Sequence, residues 1–136
     1  MFALHVKCPH CFESLMNSKR MIDDHPSIQL NVTYGEYHGA IWLSAVYGSY
    51  NYNMTFDMPD GEIAEFFCPH CGHSLTGDIS CPECSAKTVK LELEKGGAVH
   101  FCPRKGCKGH LITFDSNNSL IEEAYKHYQY MEPEED

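Results

Sequence analysis

No stretch of this chain approaches the ~20 consecutive apolar residues of a membrane-spanning helix. Its start, MFALHVK, has neither a basic leader nor an apolar core of secretory length. Cations are scarce: ten Lys plus Arg stand against nineteen Asp plus Glu, a formal charge of −9. Nucleic-acid binders depend on the opposite balance, a basic face that displaces counterions from phosphates. Also missing is any grammar of nucleophilic catalysis, since no Ser/His/Asp or Cys/His arrangement is legible. Finally, no cysteine stands alone. These absences point to a cytoplasmic protein of a reducing compartment, where close thiol pairs mean metal more often than disulfide.

What is present is eight cysteines in four close pairs: Cys8/Cys11, Cys68/Cys71, Cys81/Cys84 and Cys102/Cys107. Six of them fall within 66–110. A structural zinc site takes four thiolates, commonly supplied two and two, so four pairs predict two zinc ions. Each such site is a dianion, which adds about four negative charges to the chain's total. At 136 residues the chain can bury only a modest core. Metal must supply part of the folding free energy, on the order of 10 kcal/mol per site. Chelation is expected to unfold the protein.

The turn CPHCFESL at 8–15 returns as CPHCGHSL at 68–75, identical at six of eight positions. At Cys-x-x-Cys spacing both sulfurs can face one ion while backbone N–H groups of the loop point at the thiolates. A glycine after the second cysteine tolerates positive φ. Phe12 takes that position in the first copy, which predicts a more strained turn there.

Residues 3–7 read as a short strand leading into Cys8, and 17–26 as a polar loop. Ile28, Leu30, Val32 and Tyr34 alternate with polar residues as in a half-buried strand. Ala40–Val46 suits a central strand with Trp42 as its large core residue. Tyr50, Tyr52, Met54 and Phe56 alternate again, Pro59-Asp60-Gly61 is a turn, and Ile63–Phe67 returns as a strand into Cys68. Four strands on a meander are expected. The strict alternation of Thr88–Glu94, the Lys95-Gly96-Gly97 turn and Ala98–Phe101 read as a hairpin. Leu111–Phe114 reads as a short strand. Ser119 and Glu122 have the form of a capping box, and Leu120, Ala124, Tyr128 and Met131 follow at helical spacing.

Four pairs allow three groupings into two sites, and loop-closure entropy hardly separates them. Cys81/Cys84, a hairpin and Cys102/Cys107 have the layout of a zinc ribbon. Cys8/Cys11 with Cys68/Cys71 repeats it around a strand-rich insert, 28–67. The rival joins Cys68/Cys71 to Cys81/Cys84 and leaves Cys8/Cys11 with Cys102/Cys107; a third grouping interleaves the pairs. His10, His70 and His73 lie in or beside the ligand turns, where eight paired cysteines leave them no vacancy. The organisation that follows is a small mostly-β metal-bound domain: a zinc ribbon with its insert over 1–78, a second zinc ribbon over 79–114, one C-terminal α-helix over 115–131 and an acidic tail over 132–136.

Residues 81–107, CPEC through CPRKGC, resemble the C-terminal zinc ribbon of type I topoisomerases at Cys81, Cys84, Cys102 and Cys107. In that family the ribbon helps hold nucleic acid along a basic, aromatic hairpin, whereas this hairpin carries Glu92 and Glu94. Residues 66–85 resemble the rubredoxin-like zinc hook of small proteins that accompany thiolases and other acyl-CoA enzymes, matching at Cys68, Cys71, Gly72, Cys81 and Cys84. What this second resemblance implies is a zinc-binding auxiliary subunit of a larger enzyme. The expected function is therefore a non-catalytic accessory subunit, binding protein partners rather than membrane or nucleic acid and forming a hetero-oligomer with a larger enzyme subunit. Two alternatives stand beside it: a nucleic-acid-associated zinc ribbon and a rubredoxin-like iron electron carrier, because four cysteines in such turns also hold iron.

Overall fold

A computed structural model of the chain describes residues 3–107 and the backbone of 110–113. The helix expected over 115–131 and the acidic tail lie outside the described residues. Within them the chain forms two five-stranded antiparallel sheets.

The first sheet is centred on β3 (His25–Tyr34), with β2 (Met16–Ile22), β4 (Tyr37–Leu43), β5 (Tyr52–Met54) and β6 (Glu65–Phe67). β3 is long and strictly alternating, so Ile28, Leu30 and Val32 all turn to the core while Asn31 faces solvent. β4 covers one of its edges over Ile28–Tyr34. β2 and β6 share the other edge: β2 pairs its N-terminal half and β6 pairs Asn31–Thr33. The second sheet is centred on β8 (Lys87–Leu93), with β9 (Ala98–Phe101) and β10 (His110–Thr113) to one side. β7 (Thr76–Ser80) and β1 (Val6–Lys7) share its other edge. Val89, Leu91, Leu93 and Val99 meet Ile28, Leu30, Val32 and Ile41 in one core, closed by Leu4, Val6, Leu15, Phe66 and Leu75.

The two sheets follow one plan. In each, a strand enters a CPHC turn, an edge strand with a bulge leaves it, and a central strand and its hairpin partner follow. Hydrogen bonds repeat with the plan: Leu15 N donates to Val6 O at 3.0 Å and Leu75 N to Phe66 O at 2.9 Å, then Gln29 N to Leu15 O and Lys90 N to Leu75 O, both at 2.8 Å. The entering strands are exchanged. β1 pairs with β8 of the second half and β6 with β3 of the first, with Val6 opposite Leu93 and Phe66 opposite Val32. The internal repeat seen in the ligand turns thus extends to the strands on either side.

Several local expectations change. The polar stretch 17–26 is largely strand, since β2 is an edge strand with little apolar demand and its pairing is broken between Asn17 and Met21. β7 was not foreseen for the same reason. β5 and β6 are not meander neighbours, because β6 crosses to β3, where it delivers Cys68 beside Cys8. Trp42 is buried, yet it lies outside the core cluster and on the opposite face of β4 from Ile41. Its ring is covered by Arg20 at 4.0 Å and its Nε1 donates to Gln29 at 3.2 Å.

Candidate metal centres

The first cysteine set sits where the two halves meet. Cys8 follows β1 and Cys68 follows β6, and each opens a turn of the same build. Cys8 N donates to Glu13 O and Cys68 N to His73 O, both at 3.0 Å, while Phe12 N and Gly72 N return to the two cysteine carbonyls at 2.9 and 3.0 Å. Closing the turn requires positive φ after the second cysteine: Gly72 adopts 79° and Phe12 adopts 63°. The strain expected at Phe12 is therefore present. Two amides in each turn aim at the first sulfur, His10 and Cys11 at Cys8 Sγ (3.3 and 3.5 Å), His70 and Cys71 at Cys68 Sγ (3.3 and 3.4 Å). Such N–H···S contacts stabilise thiolate.

Across the turns, Cys8 Sγ lies 3.7 Å from Cys71 Sγ and Cys11 Sγ lies 3.8 Å from Cys68 Sγ. All four sulfurs fall within 4.8 Å of one another. A tetrahedron with metal–sulfur bonds of ~2.3 Å has edges of about 3.8 Å. The set fits a metal ion and is far too wide for disulfides, whose S–S bond is about 2.05 Å.

The second set lies at the end of the other hairpin. Cys81 ends its strand, Ser85 closes the turn at φ 68°, and Cys81 N donates to Ala86 O at 2.7 Å. Cys102 and Cys107 come from the loop after β9, whose Gly106 takes φ 89°. Cys81 Sγ lies 3.7 Å from Cys107 Sγ, and Cys84 Sγ lies 3.4 Å from Cys102 Sγ, again with all four sulfurs within 4.8 Å. Of the three groupings open from sequence, the structure brings together Cys8/Cys11 with Cys68/Cys71 and Cys81/Cys84 with Cys102/Cys107. Both sets could hold a metal ion.

Charge is arranged differently around them. Hydrogen bonding from the Ala86 backbone, then from Arg104 and Cys102, pulls the Cys84 thiol down to about 6. Burial pushes the Cys102 thiol up, and the neighbouring sulfurs add to it. Cys11 receives a lowering hydrogen bond from the Glu13 backbone, but burial and the sulfurs of Cys68, Cys8 and Cys71 outweigh it and push the thiol up to about 12. In a crowded set of four sulfurs one ionises readily and the next resists; a divalent cation removes that penalty for all. Arg104 lies in the loop that carries Cys102 and Cys107, and hydrogen bonding with Cys84 raises its pKa. Sequence reasoning passed over it, although a basic residue inside the CPRKGC turn was the available signal.

The histidines flank the first set. His10 and His73 stack at 4.7 Å, His73 Nδ1 lies 3.4 Å from Cys71 Sγ, and His70 Nε2 donates to Ser14 O at 3.1 Å. None replaces a cysteine in the two groups of four. The same place in the first half that the second set occupies in the other holds no cysteine. There, Asp23 in the β2–β3 turn accepts from Ser44 Oγ at 2.6 Å, Ser49 Oγ at 2.7 Å and Asn51 Nδ2 at 2.9 Å, tying that turn to the loop after β4.

No protein-family model, curated protein or solved structure matches this chain. The four cysteines of the ribbon resemblance, Cys81, Cys84, Cys102 and Cys107, form one set, whereas the zinc-hook resemblance joins Cys68/Cys71 to Cys81/Cys84, which lie in different sets. Among the described residues no helix is long and apolar enough to cross a membrane.

Proposed function

We propose that this chain is a non-catalytic zinc protein, an accessory subunit whose two four-thiolate centres fix a small β scaffold that binds another protein. Zinc in such a centre acts as a strut: four cysteines fill its tetrahedron and leave no position for water or substrate. The proposal thus separates the metals from the contact surface.

One surface observation carries the reading. β5 is an edge strand, paired among the described residues with β4 alone. Tyr52 and Met54 lie on it, with Tyr50 just before and Phe56 just after in the same alternation, and Phe56 stacks on exposed Tyr37 at 5.6 Å. Tyr50 and Tyr52 stand at an apolar cavity of about 210 Å³ reaching in to Ile41, Leu43 and Val99. An exposed aromatic row beside an apolar recess and an open strand edge is the kind of surface on which a partner adds a strand and anchors a side chain. A larger enzyme complex is the setting; the thiolase or acyl-CoA kind came from the zinc-hook resemblance, whose four cysteines the structure divides between two sets.

Recovery of the tagged protein from its own cells under native conditions tests this. A stoichiometric partner is expected, reduced at least tenfold by the double substitution Tyr50→Ala and Tyr52→Ala with metal content unchanged. A lone monomer in every preparation contradicts it. Four thiolates also fit iron, the rubredoxin-like reading; a coloured protein containing iron would support that instead.

A further inference from the structure

We infer that Arg104 couples the two metal centres, tying the Cys102–Cys107 loop of the second to the turn that delivers Cys68 to the first. The inference rests on both cysteine sets holding metal, and the experiment below separates the two claims.

The Cys102–Cys107 loop does more than supply two ligands. Arg104 Nη1 donates to Gly61 O at 2.6 Å. Lys105 Nζ donates to Met58 O at 2.7 Å and lies 3.7 Å from Asp60. The backbones are laced together as well: Gly61 N donates to Lys105 O at 3.0 Å, Lys105 N to Glu62 O at 2.9 Å and Ala64 N to Pro103 O at 3.3 Å. Ile63 pairs with Arg104 as an antiparallel bridge. Every contact lands on 58–64, which runs directly into β6 and so into Cys68.

β6 is three residues long. Its pairing with β3 sets its register, and the turn that leads into it has a separate holder. That holder is the loop of the second centre. Arg104 suits the task because it lies between the two ligands of its own loop and its rigid, planar guanidinium holds the Gly61 carbonyl. With the second metal gone, the four sulfurs no longer share an ion, the loop loses its fixed shape, and 58–64 loses its seat. Metal at the second centre therefore raises affinity at the first, and by linkage the reverse holds by the same factor. Arg104 is a positioning residue in this scheme, acting on Cys68 through the turn.

Cadmium bound to the full chain, followed by site-resolved cadmium NMR during competition with a chelator, reads each centre separately. Cys107→Ser is expected to weaken cadmium at the intact first centre at least about fivefold. Arg104→Gln should lower affinity at the second centre by roughly 10- to 100-fold and also weaken the first. Adding Cys107→Ser to Arg104→Gln should then cost the first centre less than the two single effects combined, because both act through the same loop. Arg104→Lys keeps the charge beside the second centre but loses the planar fork that holds Gly61 O; it should recover affinity there without recovering the coupling. First-centre affinity unmoved by both Cys107→Ser and Arg104→Gln, with two cadmium ions bound to the parent chain, overturns the coupling alone. A parent chain that binds no cadmium overturns the metal reading and the coupling with it.

Discussion

Asp23 accepts a hydrogen bond from Ser44 at 2.6 Å at the place in the first half where Cys84 faces Cys102 at 3.4 Å in the second. The two halves share a strand plan but close its open end by different chemistry. One uses a carboxylate that gathers three donors, and the other a set of four sulfurs.

Removing the carboxylate should loosen the first half without touching metal. Asp23→Ala is expected to lower stability by about 1 to 2 kcal/mol, discounted for its exposure, with both metals retained. Hydrogen bonds from Ser44, Ser49 and Asn51 hold the Asp23 carboxyl below its usual range. A depressed carboxyl pKa contributes stability that is full above the unfolded value of ~3.9 and lost as pH falls through the folded one. The gap between parent and Asp23→Ala, measured by urea unfolding, should therefore be constant near neutrality and shrink as pH drops below about 4.

Each centre should be lost singly. Cys81→Ser is expected to leave one metal per chain, with the remaining ion on Cys8, Cys11, Cys68 and Cys71. Cys8→Ser should leave the other. A structural zinc site contributes on the order of 10 kcal/mol against a total stability of about 5 to 15 kcal/mol. Excess chelator should therefore abolish the cooperative unfolding transition of the parent, as circular dichroism would record.

The turn at Phe12 carries a cost that Gly72 avoids. Phe12 holds φ 63° and its ring is 59% exposed, so little packing offsets the left-handed backbone, although Lys7 sits over the ring at 5.4 Å. Phe12→Gly should raise stability by about 0.5 to 1 kcal/mol, and Gly72→Ala should lower it by about 1 kcal/mol. Equal and opposite shifts in urea midpoint would support the shared turn geometry.

Gly39 in β4 admits no side chain. A Cβ there would run into Thr55 Oγ1 and the Phe56 ring, and that hydroxyl already accepts from Ala40 N at 3.0 Å. Gly39→Ala should cost about 1 to 3 kcal/mol and lower the fluorescence anisotropy or crosslinking of any partner seated on the Tyr37–Phe56 row. Metal content should not change.

The cysteines and the two central strands were legible in the sequence because their signals are local. Ligand spacing is fixed by the turn, and strict alternation in β3 and β8 follows from one buried face. The grouping of pairs was legible through the ribbon layout, since each closing turn follows a strand. What escaped was non-local or weakly apolar. β2 and β7 are polar edge strands whose pairing, not composition, makes them strands. The exchange of β1 and β6 between sheets is a consequence of bringing Cys8 and Cys68 to one point. Asp23 acts through Ser44, Ser49 and Asn51, and nothing near it in sequence announces them; Arg104 had only its place in the CPRKGC turn to mark it, and its Gly61 acceptor lies far along the chain.

The most direct test is native mass spectrometry of the intact protein purified without chelator. The account predicts a mass carrying two zinc ions per chain, with the thiol protons displaced by metal and the chain otherwise reduced, and reversion to the bare reduced mass on acidification. A metal-free chain lighter by the eight hydrogens of four disulfides, or a chain that holds no metal and stays folded, would contradict it.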